Sequence, residues 1–173
     1  MVFARSKMVI EDNCFLGEPG EVEINYVGPA SPQKMYRSVY DLILTVFNVP
    51  QSQVQEVRTQ WGKGKEKEKV AARWWIYKDM DVFTYIYVRV DLSVEGSEKT
   101  GKAAIKIKSY LKTEYPQDTI WQRSIIYEML RTFWHRVFYR RKREEYAEEC
   151  RHLVIYFEKR VKEFLIKLRE GKV

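Results

Sequence analysis

From Gln117 to Glu170 the chain contains neither glycine nor proline. Its residues there are strong helix formers. Pro116 precedes the stretch, Asp118 or Thr119 can cap its start, and Gly171 follows its end. These are start and stop signals for a helix. About 53 residues of unbroken helix would span roughly 80 Å, more than twice the diameter of a small domain. A helix of that length must break, project from the body or pack against another molecule.

Apolar spacing divides this segment in two. Ile126, Leu130, Phe133 and Val137 step by four, three and four. Ala147, Cys150, Val154, Phe157, Val161, Phe164 and Leu168 then keep the seven-residue repeat of a helix–helix seam. The two seams are out of phase by about one residue. Between them, over residues 139–145, the apolar face lapses. A bend, a break or a change of packing partner is therefore expected near 140–146. The first half is expected to close over a sheet. The second is expected either to fold back on the body or to form a homodimer, with Cys150, Val154, Phe157, Val161, Phe164 and Leu168 as the dimer seam.

Upstream, Val22, Ile24 and Tyr26 alternate with Glu21, Glu23 and Asn25, the two-residue period of a half-buried strand. Gly17, Pro19, Gly20, Gly28 and Pro29 break up the first thirty residues. Ser31 and Pro32 open a helix as N-cap and first-turn proline, and Val49–Pro50 ends it. Met35, Val39, Leu42, Ile43, Val46 and Phe47 share one side of that helix, which is expected to pack on the sheet.

Residues 53–115 read as antiparallel β. Val54 to Trp61 and Val70 to Lys78 are strands on either side of a charged loop. From Phe83 to Val94, one face carries Thr84, Ile86, Val88, Val90, Leu92 and Val94 and is expected to meet a core. A turn follows, with Gly96 and Gly101 able to take positive φ. In the next strand Ala103, Ile105, Ile107, Ser109 and Leu111 alternate with Lys102, Lys106, Lys108, Tyr110 and Lys112, giving one wet, basic face. Trp74 and Trp75 place one indole on each face of the sheet.

The expected fold class is α+β: a curved antiparallel sheet packed on an N-terminal helix and a long C-terminal helix. The order of elements over residues 20–140 resembles the START-like (SRPBCC, helix-grip) superfamily. There a curved sheet wraps the long final helix, often around an apolar cavity. The chain departs from that pattern in having one helix before the sheet and some thirty extra helical residues at its end. The expected division is therefore a body over 1–143 and a helical extension over 144–173. The resemblance implies an apolar ligand cavity; no family residue carries over, and in this chain residues such as Trp74, Ile86, Val88, Ile105, Ile107 and Tyr127 would line it.

No catalytic constellation stands out. His135 and His152 lack facing carboxylates or cysteines at ligand spacing. Gly62-Lys63-Gly64-Lys65 lacks the spacing and the following Ser or Thr of a phosphate loop. No Gly-x-Ser-x-Gly or paired-carboxylate motif occurs. No catalytic residue, metal or cofactor is expected. Two cysteines, Cys14 and Cys150, do not make a disulfide framework, so free thiols in a reducing cytosol are expected. Met1 to Ile10 lacks the apolar core of a signal peptide, and no run approaches the roughly 18 apolar residues of a membrane span. A cytoplasmic protein without membrane insertion follows. Its many Lys–Glu pairs and only three asparagines would suit a thermophile.

Charge points to a partner. The formal net charge is +7, from 31 Lys and Arg against 24 Asp and Glu, a balance that attracts polyanions. Between Ile120 and Arg143 stand Arg123, Arg131, Arg136, Arg140, Arg141, Lys142 and Arg143 against a single acid, Glu128. Trp121, Trp134, Phe138 and Tyr139 interleave with them. Arginines hold phosphates, and exposed aromatics stack on unpaired bases. With Lys106 and Lys108 on the sheet, this pattern is expected to bind RNA or a ribonucleoprotein, as a ribosome-associated factor and in a homodimer. The competing readings are a solvated charged face over buried aromatics, a small-molecule carrier and a protein–protein assembly factor.

Overall fold

The two-residue alternation in the middle of the chain builds one antiparallel sheet of six strands. The computed structural model of the chain describes residues 9–15, 20–64, 67–97 and 100–171. Gly17, Pro19, Lys65 and Glu66 lie outside the described residues, as do residues 1–8. The strands are β1 (Val9–Asn13), β2 (Glu21–Gly28), β3 (Val54–Lys63), β4 (Glu68–Asp79), β5 (Thr84–Gly96) and β6 (Gly101–Glu114). They run in the order β3-β4-β5-β6. Beyond β6, both β1 and β2 pair with that strand, β2 with its first half and β1 with its end.

Register puts the uniformly apolar rows on one face. Val90 lies between Trp74 on β4 and Ile107 on β6, and Leu92 between Ala72 and Ile105. All six of these side chains are buried. Helix α1 (Pro32–Phe47) covers this face with Met35, Val39, Ile43, Val46 and Phe47. It ends at Asn48, which takes a left-handed conformation at φ 49°, and Lys78 Nζ donates to the Phe47 carbonyl at 3.1 Å. That bond occupies one of the carbonyls a helix end leaves free. Gly96 and Gly101 face each other across the β5–β6 hairpin without positive φ. A Cβ would collide at Gly96 with Gly101 and the Thr100 carbonyl, and at Gly101 with Ala30 and Gly96, so close approach rather than backbone handedness requires glycine.

The C-terminal segment does not break. Helix α2 (Ile125–Trp134), a π turn (His135–Tyr139) and helix α3 (Arg140–Arg169) follow one another directly, 45 residues in all. A π turn inserts an extra residue per turn. It takes up the one-residue phase difference between the seams; of the bend, break or change of packing partner expected near 140–146, the last is what occurs, with α2 exposed and α3 packed on the core. Cys150, Val154, Phe157, Val161 and Leu168 are buried, and Phe164 is half-buried against the same core. Phe157 meets Phe47 with ring centroids 5.2 Å apart. The seam expected to join two copies therefore packs on the sheet and α1 of its own chain, which is the fold-back alternative. The boundary expected at 143–144 falls within a helix whose latter half fills the core.

The two cysteines are bonded. Cys14 follows β1, Cys150 lies in α3, and their Cα atoms are 5.7 Å apart. The expectation of free thiols is corrected: folding-back of α3 brings together residues 136 positions apart in the chain.

Candidate functional site

Pro116 and a short turn turn the chain from β6 into α2. The Gln122 amide donates to Thr119 Oγ1 at 3.3 Å, and the Gln122 side chain accepts from the backbone of Asp118 and Thr119. Trp121–Arg123 forms a 3-10 turn. Ser124 is the true N-cap, accepting from the Tyr127 amide at 3.3 Å. Ser, Thr and Asp are interchangeable as caps, so the sequence placed the start a few residues early.

The first seam faces outward. Ile126, Leu130, Phe133 and Val137 do not close over the sheet, and neither do Ile125, Met129, Trp134 and Phe138 beside them. With Ile120 and Trp121 before the helix, these side chains are between 49 and 71% exposed. They cover about half of the helix circumference. Next to them the β4–β5 turn carries Val82, 90% exposed. Phe83 from that turn joins Tyr127, Leu130, Arg131, Phe133, Trp134 and Phe138 around an open groove of about 410 Å³.

What faces inward is polar. Arg131 and Arg143 are buried, Tyr139 is buried between them, and His135 is half-buried. The four stand at four-residue spacing, one row of a helix. Their hydrogen bonds have a forced direction. A guanidinium only donates and a carboxylate only accepts. Arg143 Nε donates to Thr113 Oγ1 at 3.0 Å. Because Tyr139 gives its one proton to the Asp81 carboxylate, Thr84 donates to Tyr139 Oη at 2.5 Å, and Thr113 in turn donates to Thr84 at 2.8 Å. Tyr139 donates to Asp81, 2.8 Å from Oδ2. Arg143 also pairs with Asp12 and donates to the Ile10 carbonyl at 3.3 Å, tying α3 to β1.

The charges follow from these contacts. Burial alone would raise the Asp81 carboxyl, but the amides of Phe83 and Thr84, the Tyr139 hydroxyl and Lys142 together hold it below the ordinary range. Burial and the Asp81 carboxylate raise Tyr139, while the Thr84 bond works the other way. Burial lowers His135, aided by Arg143, and its Nδ1 is 2.8 Å from the Tyr115 hydroxyl. Arg131 pairs with Glu128 and lies over the Tyr115 ring, yet its Nε and Nη1 are buried without an acceptor among the described residues.

The basic residues read as a nucleic-acid surface separate accordingly. Arg131 and Arg143 are withdrawn from solvent. Lys106 and Lys108 pair with Glu23 and Glu21 on β2, Lys142 pairs with Asp81, and Arg140 and Arg141 pair with Glu144 and Glu145. The last two pairs are highly exposed and hold little energy. Arg123 is exposed and donates to the Gln117 carbonyl at 3.2 Å; Arg136 is exposed beside the apolar face. Trp74, Ile86, Val88, Ile105 and Ile107 are wholly buried beneath α1 and α3, and Tyr127 lies apart from them on α2. Among the described residues no cluster of His, Cys, Asp or Glu could hold a metal ion.

Sequence reasoning missed Asp81, Thr84 and Thr113, which join this region from the β4–β5 turn, β5 and β6. The inward polar row was visible at 131, 135, 139 and 143 as a repeat of four. No protein-family model matches the chain, and no curated protein matches it.

Proposed function

We propose that the chain is a non-catalytic docking protein whose working surface is the outward face of residues 120–138. One observation carries this reading. A broad apolar helix face is open to solvent, while the opposite, polar side is held inward by buried hydrogen bonds. About ten half-exposed side chains of this size amount to on the order of 1,000 Å² of apolar surface, more than the largest patch of a typical monomer. It is comparable to one partner's share of a stable interface. Single-stranded nucleic acid is the second reading, favoured by Trp121 and Trp134 standing exposed near Arg123 and Arg136.

The test is binding of an apolar fluorescent dye to the native protein and to the double variant Leu130→Glu/Phe133→Glu. The wild type should bind dye as a monomer, or exclude it as an oligomer that the variant dissociates. The variant should keep its thermal midpoint. A wild-type monomer that excludes dye, or a variant that unfolds, overturns the reading.

A further inference from the structure

We infer that the occupant of the outward face is an anionic lipid surface, on which α2 lies flat; this inference rests on the docking reading above. The argument begins with charge. Between Ile120 and Arg143 the only acid is Glu128, and it is turned to Arg131. The exposed charges within residues 120–138 are Arg123 and Arg136, both cationic, while Arg140 and Arg141 just beyond pair with Glu144 and Glu145. Exposed acids lie outside the stretch, at Asp118 before Ile120 and at Glu144 and Glu145 beyond Phe138. The complement of an apolar face whose own exposed charges are arginines is a hydrocarbon layer beneath anionic headgroups.

A second copy fits less well. Two-fold contact places the same patch against itself. It would bring one arginine margin against another, with no exposed acid on the face to separate them. Form gives a second argument. The face is a convex helix with indoles at Trp121 and Trp134, and an indole suits a boundary with one apolar and one wet side. Lying in the boundary does not require crossing it. The outward stretch is interrupted by Arg123, Glu128, Arg131 and Arg136, so it lacks the roughly 20 predominantly apolar residues of a span, and no described helix is long and apolar enough to cross a membrane.

The experiment is co-flotation of the full chain with vesicles of phosphatidylcholine containing about 30% phosphatidylglycerol, with phosphatidylcholine alone as reference. The wild type should float with the anionic vesicles, and its tryptophan emission should shift to the blue. The bound fraction should fall about tenfold or more on the neutral vesicles, at about 0.5 M salt, and in Arg123→Glu/Arg136→Glu. Leu130→Glu/Phe133→Glu should not float. Equal binding to neutral vesicles overturns the role of charge. Absence of flotation overturns the lipid inference, and the accompanying result tells what remains. A dimer dissociated by Leu130→Glu/Phe133→Glu makes a second copy the occupant, and salt-sensitive capture of a single-stranded oligonucleotide makes it nucleic acid; docking stands in both cases. A wild-type monomer that excludes apolar dye removes the docking reading as well.

Discussion

The Tyr139 hydroxyl reaches the Asp81 carboxylate across 58 residues of chain, 2.8 Å from Oδ2 and 3.0 Å from Oδ1. This contact joins the π turn to the β4–β5 turn and ends the hydrogen-bond chain that starts at Arg143. Tyr139→Phe removes the donor to Asp81 and leaves the buried Thr84 hydroxyl without that acceptor. The expected loss is about 1–3 kcal/mol of unfolding free energy, measured with urea. A change below about 0.5 kcal/mol would show that the contact contributes nothing net.

Two phenylalanines of the same long helix should behave oppositely. Phe133 is 59% exposed and Phe157 wholly buried. Phe133→Ser should alter stability by no more than about 0.5 kcal/mol, as surface changes do. Phe157→Ala should lower it by about 3–5 kcal/mol through lost burial and the cavity left behind. Equal losses in thermal or urea unfolding would mean that α2 is turned the other way.

The Cys14–Cys150 bond closes a long ring of chain, so it restricts the unfolded state strongly. On the chain-entropy account Cys14→Ala should lower stability by up to about 5 kcal/mol. A reducing agent should weaken the wild type to a similar degree and leave the variant unchanged. Wild-type insensitivity to reduction, with the bond shown broken by mass, would contradict this.

Acid should weaken the fold in two stages. His135 titrates below its ordinary value of 6.5 when folded, so between 6.5 and its folded value the unfolded chain holds more protons. Its share of stability is full above 6.5 and declines as pH falls through that window. Arg143, Asp12, Tyr139 and Tyr115 are the charged and titratable groups around it. Asp81 acts lower, its share present above 3.8 and lost as pH falls through its depressed folded value. Urea titrations of His135→Gln against pH should lack the upper stage and keep the lower one. An unchanged upper slope would assign that stage to another group.

The strands were legible because their pattern has only two solutions, and one is uniformly apolar. Ile86, Val88, Val90, Leu92 and Val94 could face only a core. The orientation of α2 was not legible in that way. Ile126, Leu130, Phe133 and Val137 define a stripe, but periodicity does not say what covers it. The answer lay on the opposite row, where Arg131, His135, Tyr139 and Arg143 find partners on β1, β6 and the β4–β5 turn. Those partners are far off in sequence, and no local rule names them. The same distance hid the pairing of Cys14 with Cys150. The one-residue offset between the seams was readable, but whether a hinge or a π turn absorbs it depends on tertiary contacts such as Tyr139 with Asp81.

Because the π turn keeps the helix unbroken, the outward face and the core-filling seam belong to one continuous helix. The face cannot be re-aimed without moving Phe157 and the Cys150 anchor. Whatever surface receives α2 therefore also sets the heading of the sheet, as a keel fixes the bearing of a hull.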